Sequence, residues 1–318
     1  MEFLRVISII MVVVIHVAAP IFYKNINILG NRFILVDILD SFSRVSVPIF
    51  LFISGRYLVG KKERIKDFYK KRMKRIGPAF IFFTIIYAFL NYYMFRDINR
   101  LIKDIFKGDT YYQMWYLYMI TVLYLVTPAI WFFRDKGKRY LNIISIISLS
   151  IGIIQCFLKI EVLWCFQFSY YIGYYILGYT LKDIKIIKLK RYICFLGYFL
   201  LSIVTAYLTY KTCNINYKLC FFNYLSPFTI LASILFYITF KDVNIKDNKF
   251  INFISKESFG IYLIHPLILY VIDKYIIINN IFFNISFRFI LCFLISLIII
   301  FFYKNSIKSK KILNILKI

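Results

Sequence analysis

Ten stretches of this 318-residue chain are predominantly apolar for about 17 to 25 residues each, the length a helix needs to cross a hydrocarbon layer about 30 Å thick. They lie near 3–23, 42–60, 77–95, 114–133, 140–158, 161–181, 192–210, 220–240, 257–278 and 282–303. Inside lipid every backbone N–H and C=O must find a partner within the protein, which leaves helices or closed barrels, and runs of this length are helical. The sequence therefore predicts an all-α integral membrane protein, a bundle of about ten transmembrane helices. At 61% hydrophobic residues the chain also exceeds the roughly one-half typical of soluble domains.

The charges show how such a bundle would sit. Lysine and arginine number 41 against 15 acidic residues, a net charge of +26. That balance would suit nucleic acid, but the basic residues are interleaved with apolar runs and form no continuous groove. They divide instead between the two sides of the predicted bundle. Segments 61–75, 134–139, 182–191, 241–256 and the C-terminal tail carry 27, while the opposite loops carry 10. The positive-inside rule makes the first side cytoplasmic, and an even number of spans puts both termini there. The first apolar segment is too long for a cleavable signal, and Pro20 follows its only small-residue cluster, so it reads as a retained helix. Six cysteines show no C-x-x-C spacing and read as buried small hydrophobes, although Cys213 and Cys220 could meet in an outer loop. With no glycine-rich phosphate loop, metal-ligand cluster or internal repeat, residues 1–318 read as one transmembrane domain and no metal is expected.

Ionisable residues inside such segments are costly and mark candidate function. Both histidines, His16 and His265, fall there. Arg5 precedes His16 by eleven residues, which returns a helix to within about 20° of its starting direction and separates the two by roughly 16 Å along the axis. Pro20 removes the backbone bond to the carbonyl of residue 16 and favours a bend there. In the second stretch, Pro48 is followed by Ser54, Gly55 and Arg56; the glycine admits close approach by a helix or a ligand, and the serine supplies a hydroxyl. The next segment, KKERIKDFYKKRMKRIGPAF, holds nine basic residues, with Arg72 and Arg75 adjacent on a helical face. It fits a phosphate clamp or an orientation signal. In the ninth stretch Ser258, Tyr262 and His265 share a face, and Pro266 frees the carbonyl of Tyr262. Each feature also has a plain structural reading, as a helix-to-helix hydrogen bond or a packing contact. Trp115, Trp131 and Trp164 suit an interfacial belt as well as a site.

Taken in order, Arg5 and His16, PIFLFISG, the R-x-x-R of Arg72 and Arg75 before Pro78, MWYLYMI around Trp115, and ESFGIYLIHPL resemble the membrane-bound acyltransferase 3 family. The resemblance runs from residue 1 to about 303. It implies a bundle of about ten helices in the bacterial cytoplasmic membrane. Such a bundle takes an acyl group, with acetyl the simplest, from cytoplasmic acyl-CoA and delivers it to a hydroxyl of a cell-envelope polysaccharide or lipid-linked sugar. The family's R-x10-H motif maps onto Arg5 and His16 as catalytic residues, and its R-x-x-R motif onto Arg72 and Arg75. One departure is Arg56 with Tyr57 after Ser54 and Gly55, where many members have a large apolar residue.

On this reading acyl-CoA sets its phosphates against Arg72 and Arg75, passes Ser54 and Gly55, and runs inward past Arg5. Neutral His16 is the expected general base, and His265, Tyr262, Ser258 and Trp115 line the substrate. Membrane lipids complete the list of expected partners. The competing reading is a proton-coupled exporter of a polysaccharide or lipid-linked sugar, which intramembrane histidines would also suit. Acidic residues inside the predicted spans are too scarce to favour it.

Overall fold

The computed structural model describes residues 1–158, 164–216, 219–243, 248–276, 278 and 280–306. Lys159, Lys218 and Lys246, the start of the sixth stretch and the tail after residue 306 lie outside the described residues, as does the side chain of Trp164. Every regular element among the described residues is helical. The first five are α1 (Glu2–Asn25), α2 (Asn31–Ser43), α3 (Ser46–Leu58), α4 (Ile65–Phe95) and α5 (Ile98–Lys107). Next come α6 (Trp115–Lys136), α7 (Lys138–Leu158), α8 (Trp164–Gln167), one 3₁₀ turn (Phe168–Tyr171) and α9 (Ile172–Thr180). The chain closes with α10 (Lys188–Asn216), α11 (Pro227–Phe240), α12 (Lys249–Tyr275) and α13 (Ile281–Ser306).

Six of these, α1, α4, α6, α7, α10 and α13, are long and apolar enough to cross a membrane. The other four predicted stretches fold as shorter helices or, in α12, as a helix of 27 residues that carries Lys256, Glu257, Asp273 and Lys274. Large apolar side chains such as Ile146, Leu200 and Phe302 face outward, as lipid contact requires. α1 lies at the centre and packs on α2, α3, α11, α12 and α13, which surrounds the segment carrying His16 with protein.

The second stretch departs from the expected single helix over 42–60. α2 ends at Ser43 and α3 begins at Ser46. Pro48 accounts for the break: it offers no N–H to the carbonyl of Arg44, and its ring would clash with that carbonyl in a continuous helix. The freed polypeptide upstream folds as α2, with Phe33, Val36, Asp37 and Asp40 buried. Two carboxylates thus sit inside the protein just before the stretch predicted to cross. A second departure is α5, in a segment expected to be an outer loop; Asp97 accepts from the Arg100 N–H at its start, and Gly108 ends it at φ 75°. α1 passes Pro20, α4 passes Pro78 and α12 passes Pro266 without a break in helix.

α3 and α9 pack at backbone contact. A methyl group added at Gly55 would lie 1.6 Å from the carbonyl oxygen of Tyr175, and one added at Gly178 would lie 2.0 Å from that of Phe52. Only glycine at both positions permits this approach, which seats α3 against the bundle. Cys213 and Cys220 are free thiols.

Candidate active site

α4 is 31 residues long, about 46 Å, and so exceeds the hydrocarbon thickness by several turns. Its excess is the basic N-terminal portion, which holds Arg72 and Arg75 at the edge of the apolar region. Beside it the turn 59–61 is tied down from α6: Arg134 Nη1 donates to the carbonyls of Val59 (2.8 Å) and Lys61 (2.5 Å), and Trp131 Nε1 donates to that of Leu58 (3.0 Å). Trp131 is therefore a buried hydrogen-bonding anchor rather than a member of an interfacial belt.

A cavity of about 340 Å³ opens between α1, α3, α4, α6 and α12. Its walls bring together six residues singled out from sequence: Arg5, Ser54, Arg72, Arg75, Ser258 and Tyr262. Lys61 and Tyr57 complete its polar rim, with the Arg5 guanidinium carbon 5.6 Å from the Tyr57 ring centre. Four cations thus face one space, with Glu63 at its edge. Glu63 accepts from Lys71 (2.6 Å) and from Arg72 (3.5 Å) and lies 3.9 Å from Lys61. The Lys71 hydrogen bond, helped by the charges of Lys61 and Arg72, holds its carboxyl below the usual range, so it is an anion at neutral pH.

The inner end is built from aromatic rings. Tyr116 and Tyr262 lie 5.3 Å apart, and the Tyr262 hydroxyl donates to the carbonyl of Gln113. Tyr262 leads to His265, 6.1 Å away on α12. His265 stacks on His16 with ring centres 5.1 Å apart and planes inclined by 28°, and Tyr112 lies 4.7 Å from His16. His265 Nδ1 is 3.0 Å from the Ile261 carbonyl, which can only accept. That contact puts the proton on Nδ1 and leaves Nε2 with its lone pair, buried and without a partner among the described residues.

Four sequence candidates lie outside the cavity wall: His265, behind Tyr262 as described, and Gly55, Trp115 and His16. Gly55 makes its close approach to α9 and is not part of the cavity wall. Trp115 packs with Tyr171 at 5.7 Å and Tyr224 at 5.6 Å, away from the cavity. His16 adjoins the cavity's inner end through His265 and Tyr262 rather than lining it, although Arg5 and Val12 of the same helix do.

Sequence reasoning missed the ion pair of Asp40 and Arg44, 2.6 Å apart and nearly excluded from solvent. The Arg44 guanidinium carbon sits 3.6 Å from the Phe222 ring centre, and that ring stacks on Phe22 of α1. Asp37 lies one turn earlier, buried, with the Ser41 hydroxyl at 3.4 Å. The i, i+4 spacing of opposite charges was the available signal.

The fold and cavity define a polytopic helical membrane protein with a basic-rimmed polar cavity leading to a stacked pair of imidazoles, of which His265 is buried. A family model described as an acyltransferase domain matches residues 1–304, and the chain belongs to that family, the acyltransferase 3 family. No curated protein and no solved structure matches it. It is accordingly a membrane acyltransferase.

Proposed function

We propose that this acyltransferase moves an acetyl group from cytoplasmic acetyl-CoA to a hydroxyl of a cell-envelope sugar or polysaccharide at the bacterial cytoplasmic membrane. The observation that carries this reading is the convergence of Arg5, Arg72, Arg75 and Lys61 on one cavity whose inner end leads to His265 and His16. Guanidinium groups suit phosphate oxygens, and the rim would take the phosphates of the CoA moiety. The pantetheine arm then extends inward past Ser54 and Arg5. Tyr116 and Tyr262, in ring contact, close the inner end, and the limited depth that leaves favours a short acyl group over a long one.

In the transfer step His16 takes the proton of the acceptor hydroxyl while its oxygen attacks the thioester carbonyl. The carbon–oxygen bond forms, the carbon–sulfur bond breaks, and CoA leaves as a thiolate that recovers the proton from the imidazolium. The rings of Tyr112 and His265 both contact that of His16, which restricts its orientation. His265, with its proton on Nδ1, presents a lone pair that can share the proton in flight. Radiolabelled acetyl transfer to envelope glycan, in membranes with matched protein levels, tests the assignment through His16→Ala, Arg5→Ala and Arg72→Ala. Full transfer by His16→Ala removes His16 as the base. Failure of the detergent-purified protein to bind acetyl-CoA removes the donor.

A further inference from the structure

α12 separates two spaces of opposite character. Ser258, Phe259 and Tyr262 face the polar cavity, while Ile264, Leu267, Ile268, Val271 and Ile272 face a groove of about 570 Å³. The groove is closed on its other sides by Phe82, Phe83 and Ile86 of α4 and by Ile295, Ile299 and Ile300 of α13. Its walls are almost wholly apolar, and from Glu257 to Ile272 it follows α12 for about 22 Å. Near Ile86 the helices are tied together, since the Tyr87 hydroxyl donates to the Leu263 carbonyl at 2.6 Å.

One end of the groove is different. Glu257 is 2% exposed; its Oε1 accepts from Lys304 Nζ, while its Oε2 is buried and has no partner among the described residues. The hydroxyl of the neighbouring Tyr303 is likewise buried without one. Lys304 is 39% exposed and keeps protons free for an anion outside. An apolar trough would be filled by any hydrocarbon, but a buried carboxylate oxygen and a phenol lacking partners carry a cost in a medium with no water to supply them. The missing group must bring a hydrogen-bond donor to Glu257 and Tyr303, an anion to Lys304, and a long apolar chain to the rest.

We propose that the groove binds one membrane phospholipid whose head group carries a donor beside its phosphate, in the leaflet on the polybasic side of the protein. The ammonium of phosphatidylethanolamine and the hydroxyls of phosphatidylglycerol share this chemistry. The quaternary ammonium of phosphatidylcholine does not, because it has no proton to give Glu257. The site is distinct from the polar cavity and independent of the acyl donor, since α12 stands between them.

Native mass spectrometry of the full-length protein, released from detergent after incubation with each of the three lipids separately, tests this. At least tenfold greater retention of phosphatidylethanolamine or phosphatidylglycerol than of phosphatidylcholine is expected, and the preferred one identifies the donor. Ile299→Trp and Val271→Trp fill the groove from positions already facing lipid, and each should abolish the preference. Ile298→Trp, exposed but outside the groove, should retain it. Glu257→Leu should reduce retention of the donor lipids to that of phosphatidylcholine. Equal retention of all three lipids by the unaltered protein, or an unchanged preference in both groove-filling variants, overturns the proposal.

Discussion

Glu63 occupies Arg72, the arginine proposed to hold the acyl donor's phosphates. Its carboxylate lies 3.5 Å from Arg72 Nη2, with both side chains nearly buried, at 12% and 11% exposure. At an effective dielectric constant of about 20, opposite unit charges at that distance attract by about 5 kcal/mol before desolvation and side-chain ordering are counted. Measured net values for pairs at a solvent-facing rim fall near 1 kcal/mol, and Lys71, which is 60% exposed, shares the same carboxylate. Under the proposed function, a CoA phosphate at Arg72 would compete with this contact. Glu63→Gln removes the competing charge while keeping an acceptor for Lys71, so binding should strengthen by about 1 kcal/mol, roughly fivefold in Kd. Titration calorimetry with CoA on the detergent-purified protein reads this directly, and KM for acetyl-CoA should fall in parallel with kcat within twofold. The gain should shrink as salt rises from 50 to 500 mM, because exposed charges are screened. It should also vanish in an Arg72→Ala background, since the two residues act through one contact. Weaker CoA binding by Glu63→Gln refutes the reasoning and makes Glu63 a strut that aims Arg72. An undiminished gain in the Arg72→Ala background removes Arg72 from the phosphate site.

Other substitutions address separate parts of the molecule. His16→Ala should lower acetyl transfer by about 10² to 10⁴-fold while leaving the calorimetric affinity for CoA within threefold, which separates proton transfer from binding. Gly55→Ala forces a methyl group into the Tyr175 carbonyl and should cost about 1 to 3 kcal/mol, lowering the melting temperature of the purified protein on the order of 5 °C by dye-based thermal shift. Asp40→Ala strands a buried guanidinium and should destabilise by about 3 to 5 kcal/mol, whereas Asp40→Leu combined with Arg44→Met should recover most of that loss in the same assay.

The parts of the site legible in the sequence were those written within single helices. Arg72 with Arg75, and Ser258 with Tyr262, are near neighbours on one helix, and periodicity alone puts each pair on a face. That all four share a cavity wall with Arg5 and Ser54 follows from the order of motifs along the chain, which the family resemblance reads and local spacing does not. The stacking of His16 on His265 joins residues from opposite ends of the sequence, and no local pattern encodes it. Asp40 and Arg44 were hidden differently. A window beginning at residue 42 cuts between them, because it matches the apolar run to the length of a membrane crossing and overlooks what Pro48 does to the carbonyl four residues earlier. Gly55 fits either a ligand or a helix as its close neighbour on sequence alone, and the neighbour is the α9 backbone, so the expected place beside the acyl donor is not where it sits. Trp115 was ambiguous for a related reason: a tryptophan near a helix end has the same neighbours in sequence whether it faces lipid or an aromatic cluster.

α6 joins the two ends of the cavity in one piece. At its C-terminal end Trp131 and Arg134 grip the turn that carries Lys61; at its N-terminal end the Tyr116 ring contacts that of Tyr262 at the cavity's inner end. Its 22 residues span about 33 Å, and Pro128 stands between the two ends, where the Tyr124 carbonyl loses its backbone hydrogen bond. A helix bends most readily at such a point, so rim and inner end are linked through a joint rather than a stiff bar. The proposed donor would be held near both of its ends by one helix that can flex between them.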